Sequence, residues 1–492
     1  MTDRAFQQCL APACRSTFSV DEVHVACPKC GSLLDIAYDW NRLPVPKSLQ
    51  YFEHRWATKG TETEGKLDFS GVWRFRELFP FFHKEEDVVT IGEGRTMLQT
   101  ADLLGKQFGM KPGKLQLQYE GLNPSGSFKD NGMTAAFTHA NMVGARRVAC
   151  ASTGNTSASL AMFASMSEMQ GVVFIGSGKI SFGKLSQALD YGAQTLQIKG
   201  DFDACLYRVR QIATGVPSLG IYLMNSVNPF RLEGQKSIML PHPRSQQLGV
   251  AGLDHRPRRQ PRELLGVRQV LRRAERTRAD QKNPAALRRQ RRRRQHAARA
   301  HTTRRRSAGT AETSITKPST STTANSTKPA TVRSTIASAI EIGRPVNLVK
   351  SLRALDVMNG VVVQVDDETI SEHRAMVARW GFGCEPASAA SVAGLAQLLE
   401  NGTISHDERV VCILTGHELK DPNETVKYHT GIDMKSVQDL APKAEPHGKL
   451  SNRPTVVDDS LEAIVKALGG DPAVLKDINL DEPASMLPVK EY

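Results

Sequence analysis

From about residue 91 the apolar positions fall into two alternating patterns. Short β-rich runs, RRVACAS (146–152), GVVFIG (171–176), AQTLQI (193–198) and GIYLMN (220–225), are separated by segments with helical spacing: NTSASLAMFASMSEM (155–169), SFGKLSQALDYG (181–192) and DFDACLYRVRQIA (201–213). Buried strands joined by amphipathic helices predict βαβαβαβ, a parallel sheet with helices across its faces. The same grammar returns later, with NGVVVQVDD (359–367) as a strand, helices over SEHRAMVARWG (371–381) and SAASVAGLAQLLENG (388–402), and RVVCILTG (409–416) as a further buried strand. Two α/β regions thus flank an interval, 243–333, that follows neither period.

That interval also carries the charge. The chain has a formal net charge of +13, which would ordinarily suggest nucleic acid. Between Arg244 and Arg306, however, 20 Arg and one Lys stand against Asp254, Glu263, Glu275 and Asp280, so this segment holds +17 and the rest of the chain −4. The arginines have no aromatic residues between them for base stacking, which disfavours a nucleic-acid-binding protein. Ser, Thr, Lys, Pro and Ala dominate the stretch that follows. Neither half holds enough apolar surface to offset chain entropy, and 243–333 is expected to be disordered.

The 492 residues predict about three domains by ordinary domain size, and no uncharged run of about 18 apolar residues is present to cross a membrane. The amino terminus lacks a secretory apolar stretch, so a cytoplasmic location is expected. Residues 1–38 hold Cys9-x4-Cys14 and Cys27-x2-Cys30, a spacing suited to tetrahedral structural zinc in a ribbon-like module. The other reading is a free-thiol appendage, because the first pair is more widely spaced than the commonest knuckle. Residues 39–90, rich in Trp and Phe, read as an arm packed on the body. Cys150, Cys205, Cys384 and Cys412 lie in or beside apolar runs and read as buried small hydrophobes.

The chemistry concentrates in two loops. In NPSGSFKDNGM (123–133) Lys129 opens a helix after a Ser/Gly turn, where the positive end of the dipole disfavours its ammonium and suits it to imine formation. About 23 residues on, ASTGNTSAS (151–159) is a hydroxyl-rich turn from strand to helix, the place where α/β sheets bind anions. Taken singly, a solvated turn and an ordinary helix cap would explain each.

In this order and spacing the loops resemble those of the pyridoxal-phosphate enzymes of the tryptophan-synthase β fold type, and the motif wording is similar to that of the threonine synthases. SGSFKDNGM looks like the cofactor-lysine signature, STGNTSAS the asparagine loop, NSVNPFRLEGQKS (225–237) the substrate-phosphate segment, EPASAA (385–390) a pocket-lining turn and LTGHELKDP (414–422) the site under the cofactor ring. TIGEGRTML (90–98) resembles the family's Glu-Gly-x-Thr loop. The resemblance spans about 40–240 and 334–425. It implies fold type II with two α/β domains (91–242 and the remainder, 334–492) behind the zinc-ribbon-like module. It also implies Lys129 as cofactor lysine and acid/base, Asn155 on the phenolic oxygen and Thr415 facing the pyridine nitrogen. Ser152, Thr153, Thr156, Ser226 and Arg231 would bind O-phospho-L-homoserine, which water converts to L-threonine and phosphate. A homodimer is compatible with this reading.

The family's Gly-Gly-Asn-x-Gly-Asn loop, which cradles the cofactor phosphate, has no counterpart in this chain. The interval from Lys236 to Ser334 keeps the family's length with the pattern lost, as two compensating frame changes would produce; a natural basic insertion is the alternative. On this expectation the chain as written binds cofactor phosphate weakly and has reduced or no activity. A serine/threonine dehydratase or a cysteate synthase would keep the fold with another substrate; Arg231 and Ser226 argue against dehydration, since a substrate without phosphate needs neither.

Overall fold

A computed structural model of the chain describes residues 4–240 and 335–431, apart from 45, 47–49, 57–64, 177–181, 200–201 and 343–344, together with 448–451 and most of 461–473. The segment expected to be disordered, 243–333, lies outside the described residues. The chain divides into two units, Met1–Asp421 and Pro422–Tyr492, and every candidate site residue lies in the first.

At the amino terminus β1 (Ala5–Cys9) pairs antiparallel with β2 (Thr17–Ser19) and with β3 (Leu34–Tyr38), Cys9 opposite Leu34. Helices α1 (Gln50–Trp56) and α2 (Lys66–Phe69) follow, then β4 (Met97–Thr100), α3 (Asp102–Gln107) and β5 (Leu115–Tyr119). The body continues through α4 (Lys129–Met142), β6 (Arg147–Ala151), α5 (Asn155–Met166), β7 (Gln170–Gly176), α6 (Phe182–Asp190), β8 (Gln194–Ile198), α7 (Phe202–Gly215), β9 (Ile221–Leu223) and α8 (Pro229–Gln235). Beyond the undescribed interval come α9 (Leu348–Met358), α10 (Asp367–Arg379), α11 (Pro386–Glu400) and β10 (Val410–Leu414).

The predicted βαβαβαβ run forms one parallel sheet in the order β8-β7-β6-β9. Its strands read as continuous apolar runs because both faces are covered. Val148, Cys150, Val173 and Ile175 join a core with α4, α5 and α6 on one face, whereas Ala149, Ala151, Val172 and Phe174 join Cys205, Leu206 and Val209 of α7 on the other. The aromatic arm anchors on the same body. Trp73, fully buried among Phe79, Phe81 and Phe82, donates its indole N–H to Thr134 Oγ1 of α4 at 2.7 Å.

One sequence expectation changes. NGVVVQVDD was expected to supply a strand, yet Val361–Val365 forms no ladder with any described strand, and Val362 is 69% exposed. Apolar β-branched residues favour a strand only where a partner is in register. RVVCILTG supplies the expected buried strand, β10, which pairs parallel with β5 in the order β10-β5-β4. The segments flanking the interval therefore share a sheet. No helix among the described residues is long and apolar enough to cross a membrane. Cys150, Cys205, Cys384 and Cys412 are all buried, as their apolar settings indicated.

Candidate active site

In the four-stranded sheet the chain leaves β6 toward β7 and β8, then returns to β9 on the opposite side of β6. The order reverses between β6 and β9, and the crevice beyond the carboxyl ends of such strands is where open α/β sheets take ligands. Asn225 holds this edge, its Oδ1 accepting from Ala151 N and its Nδ2 donating to Ala151 O, both at 2.9 Å. Ser152, Thr153 and Thr156 leave β6 at this point, and Ser226 and Arg231 leave β9.

Thr156 and Arg231 meet across the crevice. Arg231 Nη2 donates to Thr156 Oγ1 at 3.1 Å and Nη1 to Met224 O at 3.0 Å, while its buried Nε has no partner among the described residues. The α8 turn that presents Arg231 is fixed by Asn228, which caps the amides of Phe230 and Arg231. Burial lowers the guanidinium to about 10, so it stays charged at neutral pH. Ser152 Oγ accepts from Gly154 N at 3.0 Å, and Thr153 and Ser226 are half-buried beside the same turns.

Lys129 is the first residue of α4. Its loop turns at Gly126, where φ is +83°, and is tied down by the buried Asp130, which accepts from Ser125 N (2.7 Å), Ser125 Oγ (2.6 Å) and Ser159 Oγ (2.6 Å). Backbone bonds from Phe128 N to Thr415 O and from His417 N to Gly126 O set the Thr415 loop against it. Burial, then the Arg231 guanidinium, push the Lys129 amine down to about 7, with Glu385 pulling it up and Lys184 pushing further down. The amine lies 3.9 Å over the Phe128 ring.

Asn155 and Thr415 both point to Glu385. Asn155 Nδ2 donates to Glu385 Oε1 and Oε2 at 2.8 and 3.0 Å, and Thr415 Oγ1 to Oε1 at 3.3 Å. Behind Glu385 stands Lys184, nearly fully buried on α6, paired also with Asp421 at 2.6 Å. His417 caps the turn after it by accepting from Leu419 N at 3.2 Å, a structural use.

The family described as pyridoxal-phosphate dependent enzyme matches residues 89–249 and 297–416, so the match breaks within the arginine-rich interval. Threonine synthase of Methanocaldococcus jannaschii is 37% identical over 86% of this chain and 94% of that protein; that of Methanosarcina acetivorans is 37% identical over 93% and 97%. The chain belongs to the threonine synthase family. The crystal structure of threonine synthase from Escherichia coli, at 16% identity, shares the fold with a TM-score of 0.52 over 94% of this chain and 99% of that one.

Threonine synthases are pyridoxal-phosphate enzymes, and the residues here fit that cofactor at its ring and aldehyde. A near-neutral lysine, the buried Asn155 Oδ1 without a partner among the described residues, and the Thr415 hydroxyl converge there. A cradle for the cofactor phosphate is not among the described residues. Sequence reasoning read EPASAA only as a lining turn and missed Lys184 and Asp421. The available signal was a lysine at 184, four residues before the buried Ala188, on the inward face of an amphipathic helix.

The amino-terminal three-stranded sheet and its loops bring the four cysteines together. The sulfurs of Cys9, Cys14, Cys27 and Cys30 all lie within 4.8 Å of one another, with Cys9–Cys30 at 3.4 Å and Cys14–Cys27 at 3.8 Å. Tetrahedral zinc with bonds of about 2.3 Å separates its sulfurs by about 3.8 Å. Gly31, at φ +72°, closes the knuckle through its N–H to Cys27 O at 2.8 Å.

Proposed function

We propose that the chain converts O-phospho-L-homoserine and water to L-threonine and phosphate, with Lys129 as the cofactor lysine and proton carrier. The observation that carries this reading is the Arg231–Thr156 pair at the sheet's switch point, on the same crevice as a lysine whose amine is half neutral near pH 7. When bound, pyridoxal phosphate supplies the electron sink that makes the substrate's α and β protons removable. Lys129, neutral in part at working pH, takes a proton from carbon and returns it. Arg231 offers its remaining N–H groups to the substrate phosphate, with Thr156, Ser226 and Ser152 completing the donors and Thr153 beside them. Asn155 and Thr415 orient the ring. A phosphate-free substrate would leave the guanidinium's free donors unused, which argues against a dehydratase.

The four thiolates are assigned to one structural zinc. They close the tetrahedron and leave no position for water, so catalysis at the ion is not expected. The reaction is tested by following phosphate and threonine formation from O-phospho-L-homoserine, with L-serine and L-threonine as alternative substrates. Ketoacid from threonine without phosphate release from the phosphorylated substrate would overturn the reading.

A further inference from the structure

Glu385 is 1% exposed and stands at the amino terminus of α11, where the helix dipole favours a carboxylate. It makes no side-chain cap on its own helix and reaches instead to three other elements. Asn155 of α5 and Thr415 of the β10 loop donate to it, and Lys184 Nζ of α6 lies 3.1 Å from Oε2. The backbone makes room for this: a Cβ at Gly416 would come within 2.6 Å of Oε1. A buried ion pair contributes little net stability, because desolvating both charges offsets their attraction. Its effect here is directional. With the carboxylate in place, the Asn155 amide must turn its N–H groups that way, and Oδ1 is left as a buried acceptor without a partner among the described residues. The Thr415 hydroxyl is aligned in the same way, with Ser388 Oγ at 2.9 Å.

The geometry points to Glu385 as a positioning residue for the reaction: through Asn155 and Thr415 it orients the groups that flank Lys129, and Lys184 holds its charge in place. The inference rests on the lyase reading above. The charged groups that bear on the Lys129 amine are Arg231 from α8, Lys184 from α6 and Glu385 from α11, and Glu385 is the anion among them. Neutralising it therefore favours the neutral amine.

The test compares the full chain with Glu385→Gln, Glu385→Asp and Lys184→Met. Lys129 reactivity toward acetic anhydride is followed across pH in the cofactor-free protein by peptide mass, and phosphate release is followed in the cofactor-loaded enzyme. Glu385→Gln is expected to move the Lys129 midpoint down by about half a unit or more. It should lower kcat by about tenfold or more, with KM within about twofold, because Glu385 contacts none of Thr156, Ser226 or Arg231. Glu385→Asp keeps the charge and loses reach, so its midpoint stays parental while kcat falls; Lys184→Met lowers kcat as well. A parental midpoint and parental kcat in Glu385→Gln, or a loss confined to KM, overturns the proposal. Should Glu385→Gln fail to fold, a parental kcat in Glu385→Asp overturns it instead. A parent that releases no phosphate fails the reaction reading, whereas the acetylation midpoints still judge Glu385.

Discussion

Replacing Arg231 with alanine tests the substrate assignment most directly. Its guanidinium has five N–H donors, of which Met224 O and Thr156 Oγ1 take two. The others, the partnerless Nε among them, remain for a ligand. A hydrogen bond to a charged group contributes about 1.5–3 kcal/mol, so two from a fork to one phosphate amount to about 3–6 kcal/mol, or roughly 10²–10⁴-fold in kcat/KM. The fold should suffer less, about 1–2 kcal/mol for two ordinary bonds, because α8 remains anchored by the buried Phe230. Phosphate release at limiting substrate reads the first number and thermal unfolding the second. Arg231→Lys, which keeps a charge but not a fork, should fall between parent and alanine. A folded Arg231→Ala protein with kcat/KM within about tenfold of the parent would refute the placement of the phosphate.

Lys129→Met should abolish the cofactor's lysine-bound visible absorbance, and borohydride reduction of the parent should label the SFKD peptide; a label elsewhere removes Lys129 from its role. Because the folded Lys129 sits near 7 and an unfolded lysine near 10.5, the unfolded chain holds the extra proton between those values. Its contribution to stability therefore rises with pH through that window, and the base-dependent limb of turnover should have its midpoint near 7. Metal analysis should find about one zinc per chain, lost in Cys27→Ser, and a metal-free protein purified without chelator would refute the assignment. Burial holds His139 down to about 4, with Nε2–H donating to Val20 O and Nδ1 accepting from Tyr222 O–H, both at 2.6 Å. Its stabilisation is complete above about 6.5 and lost as pH falls toward 4, about 3 kcal/mol in all, so His139→Asn should flatten the acid limb of a denaturation series.

Local patterns carried most of what was legible in the sequence. The Lys129 loop, the asparagine turn and the alternating strands each lie within one short segment, where spacing alone constrains geometry. The four cysteines were legible for the same reason. What sequence could not show were contacts closed over long separations. Asn155 and Glu385 are 230 residues apart, and Lys184 and Asp421 are 237 apart, so neither residue of either pair announces its partner. The pairing of β10 with β5 was hidden likewise, since a buried VVCIL run fits any covered parallel strand. NGVVVQVDD misled because strand propensity describes a pleated surface that needs neighbours, and none of the described strands supplies them.

The amino-terminal cysteine module bears on one end of the site more than the other. Tyr38 of β3 donates to Glu233 of α8 at 2.7 Å, two residues from Arg231 on the same helix. On α9, Lys350 reaches Leu34 O at 2.8 Å and Asp35 at 2.9 Å, and Arg353 reaches Asp35 at 2.6 Å. Just before α9, Asn347 Nδ2 donates to Ser226 O at 2.9 Å. The backbone that carries Arg231 and the one beside Ser226 are thus both tied to the strand that follows Cys30. On the lysine side the tie is more remote: His139 Nε2 bonds Val20 O at 2.6 Å near the far end of α4, while the Lys129 loop itself is fixed by Asp130 and by the Thr415 loop. A disturbed cysteine module should therefore loosen the Arg231 and Ser226 side before the lysine side, raising KM while the Lys129 amine keeps its midpoint.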